Sequence, residues 1–136
     1  MKKLAIEILN KSNLKLTSQR VLIISLLLEG KSKAHTISEL LQKLQHKMNR
    51  STVYRTLDTL IKKQLIFKLM DSNGETIYAL KEKNEVENSI QPHLKCLDCG
   101  ILQSLPSLPA DYTSILMNHG VNKFNLVLDG FCTDCS

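Results

Sequence analysis

Two short cysteine pairs constrain this chain more than any other feature. Cys96-Leu97-Asp98-Cys99 and Cys132-Thr133-Asp134-Cys135 repeat one spacing, with 32 residues between the pairs. A tight C-x-x-C turn lets both sulfurs reach one ion, and two such turns complete an all-thiolate tetrahedron around Zn²⁺. Cys96, Cys99, Cys132 and Cys135 are therefore the candidate ligands of one structural Zn²⁺ per chain. The ion would pin the end of the chain to residues some 30 positions earlier. A structural zinc stabilises such a module by roughly 10 kcal/mol or more, a large share for a segment too short to bury a sizeable core. With four sulfurs around it the ion keeps no open position, so hydrolytic catalysis there is not expected. Disulfides, a thioredoxin-like redox pair and plain buried thiols are the competing readings. A redox motif needs only one pair, and a chain kept in the reducing cytoplasm disfavours disulfides.

The cytoplasmic expectation comes from what the sequence lacks. Its longest apolar run, Val21 to Leu28, is far too short to span a bilayer. Glu7 and Asn10 interrupt any signal-peptide core after the Met-Lys-Lys start. Neither a membrane partner nor a small-molecule substrate is expected. The 136 residues suffice for one or two small domains, and 43% hydrophobic content excludes disorder. Aromatics make up only 4%, so the core must be aliphatic.

Charge divides along the chain. Residues 1–84 hold 16 Lys/Arg against 7 Asp/Glu, a net of +9, whereas residues 85–136 hold 2 against 6, a net of −4. A basic module that meets a polyanion and a second module that does not would produce this split. We therefore expect a DNA-binding domain over 1–82, a linker over 83–92 and a zinc-stabilised domain over 93–136.

Periodicity fits that division. Leu4 to Leu9 and Arg20 to Glu29 read as helices, the second stopped by Gly30. Thr36-Ile37-Ser38-Glu39 has the spacing of a capping box, followed by Leu40, Leu41 and Leu44 as a buried stripe. A further helix runs from Asn49–Ser51 to about Gln64, with Val53, Leu57, Leu60 and Ile61 inward and Arg50, Ser51, Tyr54, Arg55, Asp58 and Lys62 outward. Leu65 to Met70 and Thr76 to Leu80 read as a hairpin around Asp71-Ser72-Asn73-Gly74. Beyond the linker, Ile101 to Leu105 is strand-like, Pro109 to His119 is a helix ended by Gly120, and Asn122 to Leu128 alternates as a half-buried strand. The fold class is α+β: an N-terminal winged helix-turn-helix domain plus a C-terminal α/β domain with a four-cysteine zinc site.

Helices followed by a hairpin in a basic segment suit the major groove, which admits one α-helix and its base-reading side chains. Arg55 can grip a guanine edge or a phosphate, and Tyr54 can touch a thymine methyl or donate to phosphate. Ser51 and Thr52 offer first-turn hydroxyls and amides to phosphate. Lys68 on the hairpin could add a backbone contact.

Four stretches together resemble the ferric uptake regulator family of bacterial metal-responsive repressors: Leu16-Thr17-Ser18-Gln19-Arg20, Ser51-Thr52-Val53-Tyr54-Arg55-Thr56-Leu57, His93-Leu94-Lys95-Cys96-Leu97-Asp98-Cys99-Gly100 and Gly130-Phe131-Cys132-Thr133-Asp134-Cys135. The resemblance covers almost the whole length. It implies a C-terminal dimerisation domain and a homodimer on near-palindromic double-stranded operator DNA. It places Tyr54 and Arg55 on the recognition helix, with Lys15 and Arg20 as further candidate DNA contacts and Lys15 approaching the minor groove. It implies no enzyme.

The resemblance also implies a second, regulatory divalent metal (Fe²⁺, Zn²⁺ or Mn²⁺) between the domains. His35 and His93 match two of its ligands. The other matching positions carry Gln91, Ala79, Ser104 and a residue near Phe124, none of them a usual ligand. Glu85, Glu87 or His119 could complete a set, but no spacing demands it. Two histidines alone are a poor divalent site. The alternatives are thus a repressor without metal sensing, constitutive or controlled by thiol oxidation, and a zinc-stabilised redox or interaction protein with no DNA role.

Overall fold

The computed structural model describes residues 2–29, 34–81, 90–122 and 124–136. The expected linker falls largely on 82–89, which with Glu85, Glu87, Gly30 and Lys123 lies outside the described residues. Among the described residues the elements follow in the order α1 Lys2–Lys11, α2 Ser18–Leu28, β1 Ala34–Thr36, α3 Ile37–Leu44, α4 Arg50–Lys62, β2 Ile66–Met70, β3 Thr76–Leu80, β4 His93–Cys96, β5 Leu102–Ser104, α5 Ala110–Asn118 and β6 Val127–Gly130. The class is the expected mixture of helices and sheet. No helix among the described residues is long and apolar enough to cross a membrane.

Contacts divide the chain into two compact units. One comprises Met1–Lys68 and Glu75–Lys81, the other Leu69–Gly74 and Glu82–Ser136. The strands of the β2–β3 hairpin thus belong mainly to the first unit, while its tip groups with the second.

In the first unit, three helices start on side-chain caps. Thr17 accepts from the Arg20 amide, Thr36 from the Glu39 amide and Asn49 from the Thr52 amide. Each cap satisfies one amide that would otherwise lack a partner, and is worth about 1 kcal/mol. Glu39 does not complete a reciprocal capping box: its carboxylate accepts instead from the Thr36 hydroxyl at 3.3 Å. The core is aliphatic, as the composition requires. Ala5 and Leu9 of α1, Ile23, Ile24, Leu27 and Leu28 of α2, Leu40 and Leu44 of α3, and Val53, Leu57 and Leu60 of α4 close over Ile66, Tyr78 and Leu80 of the sheet. Truncating one of these leucines to alanine costs about 2–5 kcal/mol.

β1 was not visible in the sequence. Three residues pair it antiparallel to β3, with His35 opposite Tyr78, making a sheet in the order β1-β3-β2. A strand this short has no periodicity to detect; its partner defines it.

The second unit holds a sheet in the order β5-β4-β6, antiparallel on one side of β4 and parallel on the other. The last strand corrects the sequence expectation: it spans Val127–Gly130, not 122–128. Its parallel register with β4, from His93 opposite Val127 to Cys96 opposite Gly130, fixes where pairing starts. Leu128, expected on a half-buried face, is 50% exposed on this edge strand. Helix α5 buries none of its residues. Buried apolar side chains here are sparse: Leu69, Ile90, Cys96, Leu102 and Cys132. A unit with so little core needs another source of stability.

Candidate metal centre and nucleic-acid interface

β4 and β6 bring the cysteine pairs together. β4 ends on Cys96, and the turn Leu97-Asp98-Cys99-Gly100 closes with the Gly100 amide donating to the Cys96 carbonyl at 3.0 Å. Gly100 sits at φ +77°, a left-handed conformation that glycine adopts without a Cβ penalty. Leu97 N donates to Gly130 O at 2.8 Å, extending the β4–β6 pairing to within two residues of Cys132. The second turn repeats the first, with Ser136 N donating to Cys132 O at 2.9 Å, and Cys135 N donates to the same carbonyl at 3.0 Å.

All four sulfurs lie within 4.8 Å of one another, and Cys99 Sγ is 3.8 Å from Cys132 Sγ. A tetrahedral ion with Zn–S bonds of about 2.3 Å sets its sulfurs about 3.8 Å apart. The donor set therefore fits Zn²⁺ in type, number and spacing. Among the described residues this is the one group of three or more Cys, His, Asp or Glu donors that could hold a metal.

The thiols act on one another's protonation. Amides of Cys132 and Cys99 hold the Cys96 thiol down to about 6. The Ile101 amide favours the Cys99 thiolate, yet the Cys96 thiol, burial and the Cys132 thiol outweigh it and push Cys99 up. Cys135 is pushed up mainly by the Cys132 thiol and then by Cys96. Without a cation, Cys96 readily ionises while Cys99 and Cys135 keep their protons. A divalent ion that replaces those protons removes the conflict.

The second candidate surface is the outer face of α4. Arg50, Ser51, Tyr54, Arg55, Asp58 and Lys62 are exposed, as the periodicity predicts, and Thr52 is half-buried. Thr56 and Thr59 turn their hydroxyls back onto the carbonyls of Thr52 and Arg55. Among the described residues, neither Arg50 nor Arg55 takes part in a salt bridge, so both guanidiniums keep their donors for a polyanion. Lys15 is exposed in the loop before α2, and Arg20 Nη1 donates to the Lys15 carbonyl at 2.7 Å.

The two histidines lie in different units. His35 Nδ1 is 3.1 Å from Glu39 Oε2, and Nε2 is 3.2 Å from the Glu29 carbonyl. Each ring nitrogen thus faces an oxygen acceptor near the start of α3, and a neutral imidazole donates to one of the two. His93 is buried at the start of β4, opposite Ser104 on β5 and Val127 on β6. Gln91 Nε2 donates to the Leu105 carbonyl at 3.1 Å, and Ala79 is buried in β3 opposite Ala34.

Two residues given no role in the sequence reading hold the hairpin tip. Lys95 Nζ contacts Asp71 Oδ2 at 2.5 Å. The Asn125 carboxamide accepts from Met70 N at 2.7 Å and donates to Met70 O at 3.0 Å. Partners 24 and 55 positions apart leave no local signature.

The ferric uptake regulator family model matches residues 11–124. The ferric uptake regulation protein of Bacillus subtilis (strain 168) is 26% identical over 135 residues, covering 94% of this chain and 89% of that one. Among solved structures, a zinc uptake regulator complexed with zinc and DNA superposes with a TM-score of 0.68 at 20% identity, covering 98% of this chain and 91% of that one. The Vibrio cholerae ferric uptake regulator gives 0.59 at 24% identity, covering 93% and 98%. At these identities the structural likenesses establish the fold.

Proposed function

This chain belongs to the ferric uptake regulator family, and on that premise we propose that it is a dimeric, sequence-specific DNA-binding repressor with one structural Zn²⁺ per chain. The family is one of regulators, not enzymes. The observation that carries the DNA reading is the α4 surface: a helix of 13 residues in a winged helix-turn-helix unit, with Tyr54 and Arg55 exposed and a capped N-terminus beside Ser51 and Thr52. Laid in the major groove, it presents Arg55 to a guanine edge and the Ser51 hydroxyl to phosphate, the Thr52 amide being taken by Asn49. Lys15 on the loop before α2 and Arg20 in the first turn of α2 add backbone contacts. Residues 1–82 are assigned to DNA binding, 93–136 to dimerisation, and the protein to the cytoplasm.

The zinc reading rests on the sulfur spacing, and the ion supplies a closed tetrahedral cross-link. The dimer reading rests on an apolar surface that a lone chain leaves in water. Tyr112, Ile115 and Met117 of α5 and Leu128 of β6 are each 46–51% exposed. Two recognition helices, one per protomer, would then meet half-sites about one helical turn apart. Metal-homeostasis or stress genes are the proposed targets.

The decisive experiment is anisotropy titration of the zinc-loaded protein with candidate operator and scrambled duplexes at several salt concentrations. We expect preference for one sequence and a linear fall of log affinity with log salt, because phosphate contacts release counterions. Absence of salt-dependent binding would return the chain to the zinc-stabilised redox or interaction class.

A second reading drops the regulatory metal, and one observation favours it. Each nitrogen of His35 faces an oxygen acceptor, Glu39 Oε2 or the Glu29 carbonyl, so a metal would have to displace one of them. Titrating Fe²⁺, Mn²⁺ and Zn²⁺ into the zinc-loaded protein separates the readings. A metal bound beyond the first zinc that also changes operator affinity assigns His35 and His93 to a sensory site. Binding of the first zinc alone leaves a repressor that is constitutive or controlled by thiol oxidation.

A further inference from the structure

The hairpin tip is held by the two segments that deliver the cysteines to the metal centre. Lys95, the penultimate residue of β4, grips Asp71, and its chain neighbour is the ligand Cys96. Asn125 precedes β6, which leads to Cys132, and its carboxamide closes a two-bond ring on the backbone of Met70. β2 is an edge strand of its sheet, and both backbone groups of Met70 are met there as a neighbouring strand would meet them. Asp71 in turn builds the tip. Its Oδ1 accepts from Asn73 N at 2.9 Å, its carbonyl accepts from Gly74 N at 3.0 Å, and its side chain is 1% exposed. A buried carboxylate requires its cation, so losing Lys95 would reshape the turn.

We propose that Lys95 and Asn125 are positioning residues for the hairpin, through which the state of the four-cysteine centre reaches the tip. The parallel register of β4 and β6 sets Cys96 opposite Gly130, and the Leu97–Gly130 bond closes it beside the centre. An ion across both turns clamps the two strands together. Without it the strands part, Lys95 and Asn125 lose their common frame, and the tip is released. The zinc centre thereby acts on DNA binding as well as on stability. This last step rests on the proposed function, in which the hairpin is the wing beside the recognition helix.

The test uses full-length, zinc-loaded protein and residue-resolved amide exchange. Asn125→Ala should speed exchange at Met70 at least tenfold, and Lys95→Met should do the same at Asn73. Zinc content should stay at one per chain, and protection at Ile24 and Leu57 should be unchanged. Lys95→Arg should restore Asn73. Removing zinc from the wild type with a chelator should release Met70 and Asn73 together with Leu97. Unchanged exchange at the tip in both variants, or a tip that stays protected after zinc removal, overturns the proposal. Loss of protection at Ile24 and Leu57 as well would also overturn it, because the residues would then be supporting the whole fold. On operator DNA the variants should lose backbone protection flanking each half-site and keep the guanine contacts of α4. Normal tip release with an unchanged footprint would leave the coupling intact and refute the reading of the hairpin as a DNA-contacting wing.

Discussion

Arg20 reaches back five residues and donates from Nη1 to the carbonyl of Lys15 at 2.7 Å. A residue first considered for DNA contact thus also shapes the loop that carries another candidate contact. Lys15→Ala should weaken binding about equally across sequences and lower the salt slope by roughly 1, as loss of one phosphate contact does. Arg20→Ala should reproduce that loss and in addition cost about 0.5 kcal/mol of stability, the low end for a hydrogen bond because this one lies at the surface. Denaturant unfolding beside anisotropy separates the two variants; equal stability for both would refute the loop role.

Arg55→Ala should cost about 1–3 kcal/mol of operator affinity and relax preference at one base position. Arg55 is exposed and forms no salt bridge among the described residues, so Tm should hardly move. Undiminished operator affinity would take this residue out of the recognition surface.

Zinc affinity should fall as pH falls. At neutral pH, Cys99 and Cys135, both pushed up, keep protons that the ion must displace, while Cys96, held at about 6, is already a thiolate. Below that value Cys96 takes a proton too, and the fall should steepen. The sign for the metal-free protein follows from the same shift. A depressed thiol contributes stability above its ordinary value of 9.0, and that contribution is lost as pH drops through about 6. Chelator competition across this range checks the slope, and a pH-independent affinity would contradict thiolate coordination. Cys99→Ser should lower zinc content and selectively unfold the second unit.

Ile115→Lys should shift the protein from dimer to monomer in sedimentation. The side chain is 50% exposed on a helix with no fully buried residue, so a lysine is tolerated in the monomer and costly at an apolar interface. Operator affinity should fall with it, since one half-site alone holds less.

Much of the first unit was legible because its signals are local. Thr17, Thr36 and Asn49 cap helices from positions next to the residues they cap, and Val53, Leu57 and Leu60 declare their inward face by spacing. The four cysteines were legible for a different reason: few ligand sets other than a tetrahedral ion explain two equal pairs. β1 and the true start of β6 were not legible. Each is defined by a partner strand, and neither is long enough to show a period.

By itself the sequence determined the division into a basic and an acidic half, the helices with their caps, and the four sulfurs, because charge, periodicity and ligand spacing are properties of neighbouring residues. Only the tertiary structure decided that His35 has an oxygen acceptor beside each nitrogen, that Arg20 holds the Lys15 loop, and that Lys95 and Asn125 hold the hairpin tip. In the last case the bonds join residues 24 and 55 positions apart. Such bonds form only after strand pairing has brought distant segments together, so nothing in the local order of residues announces them.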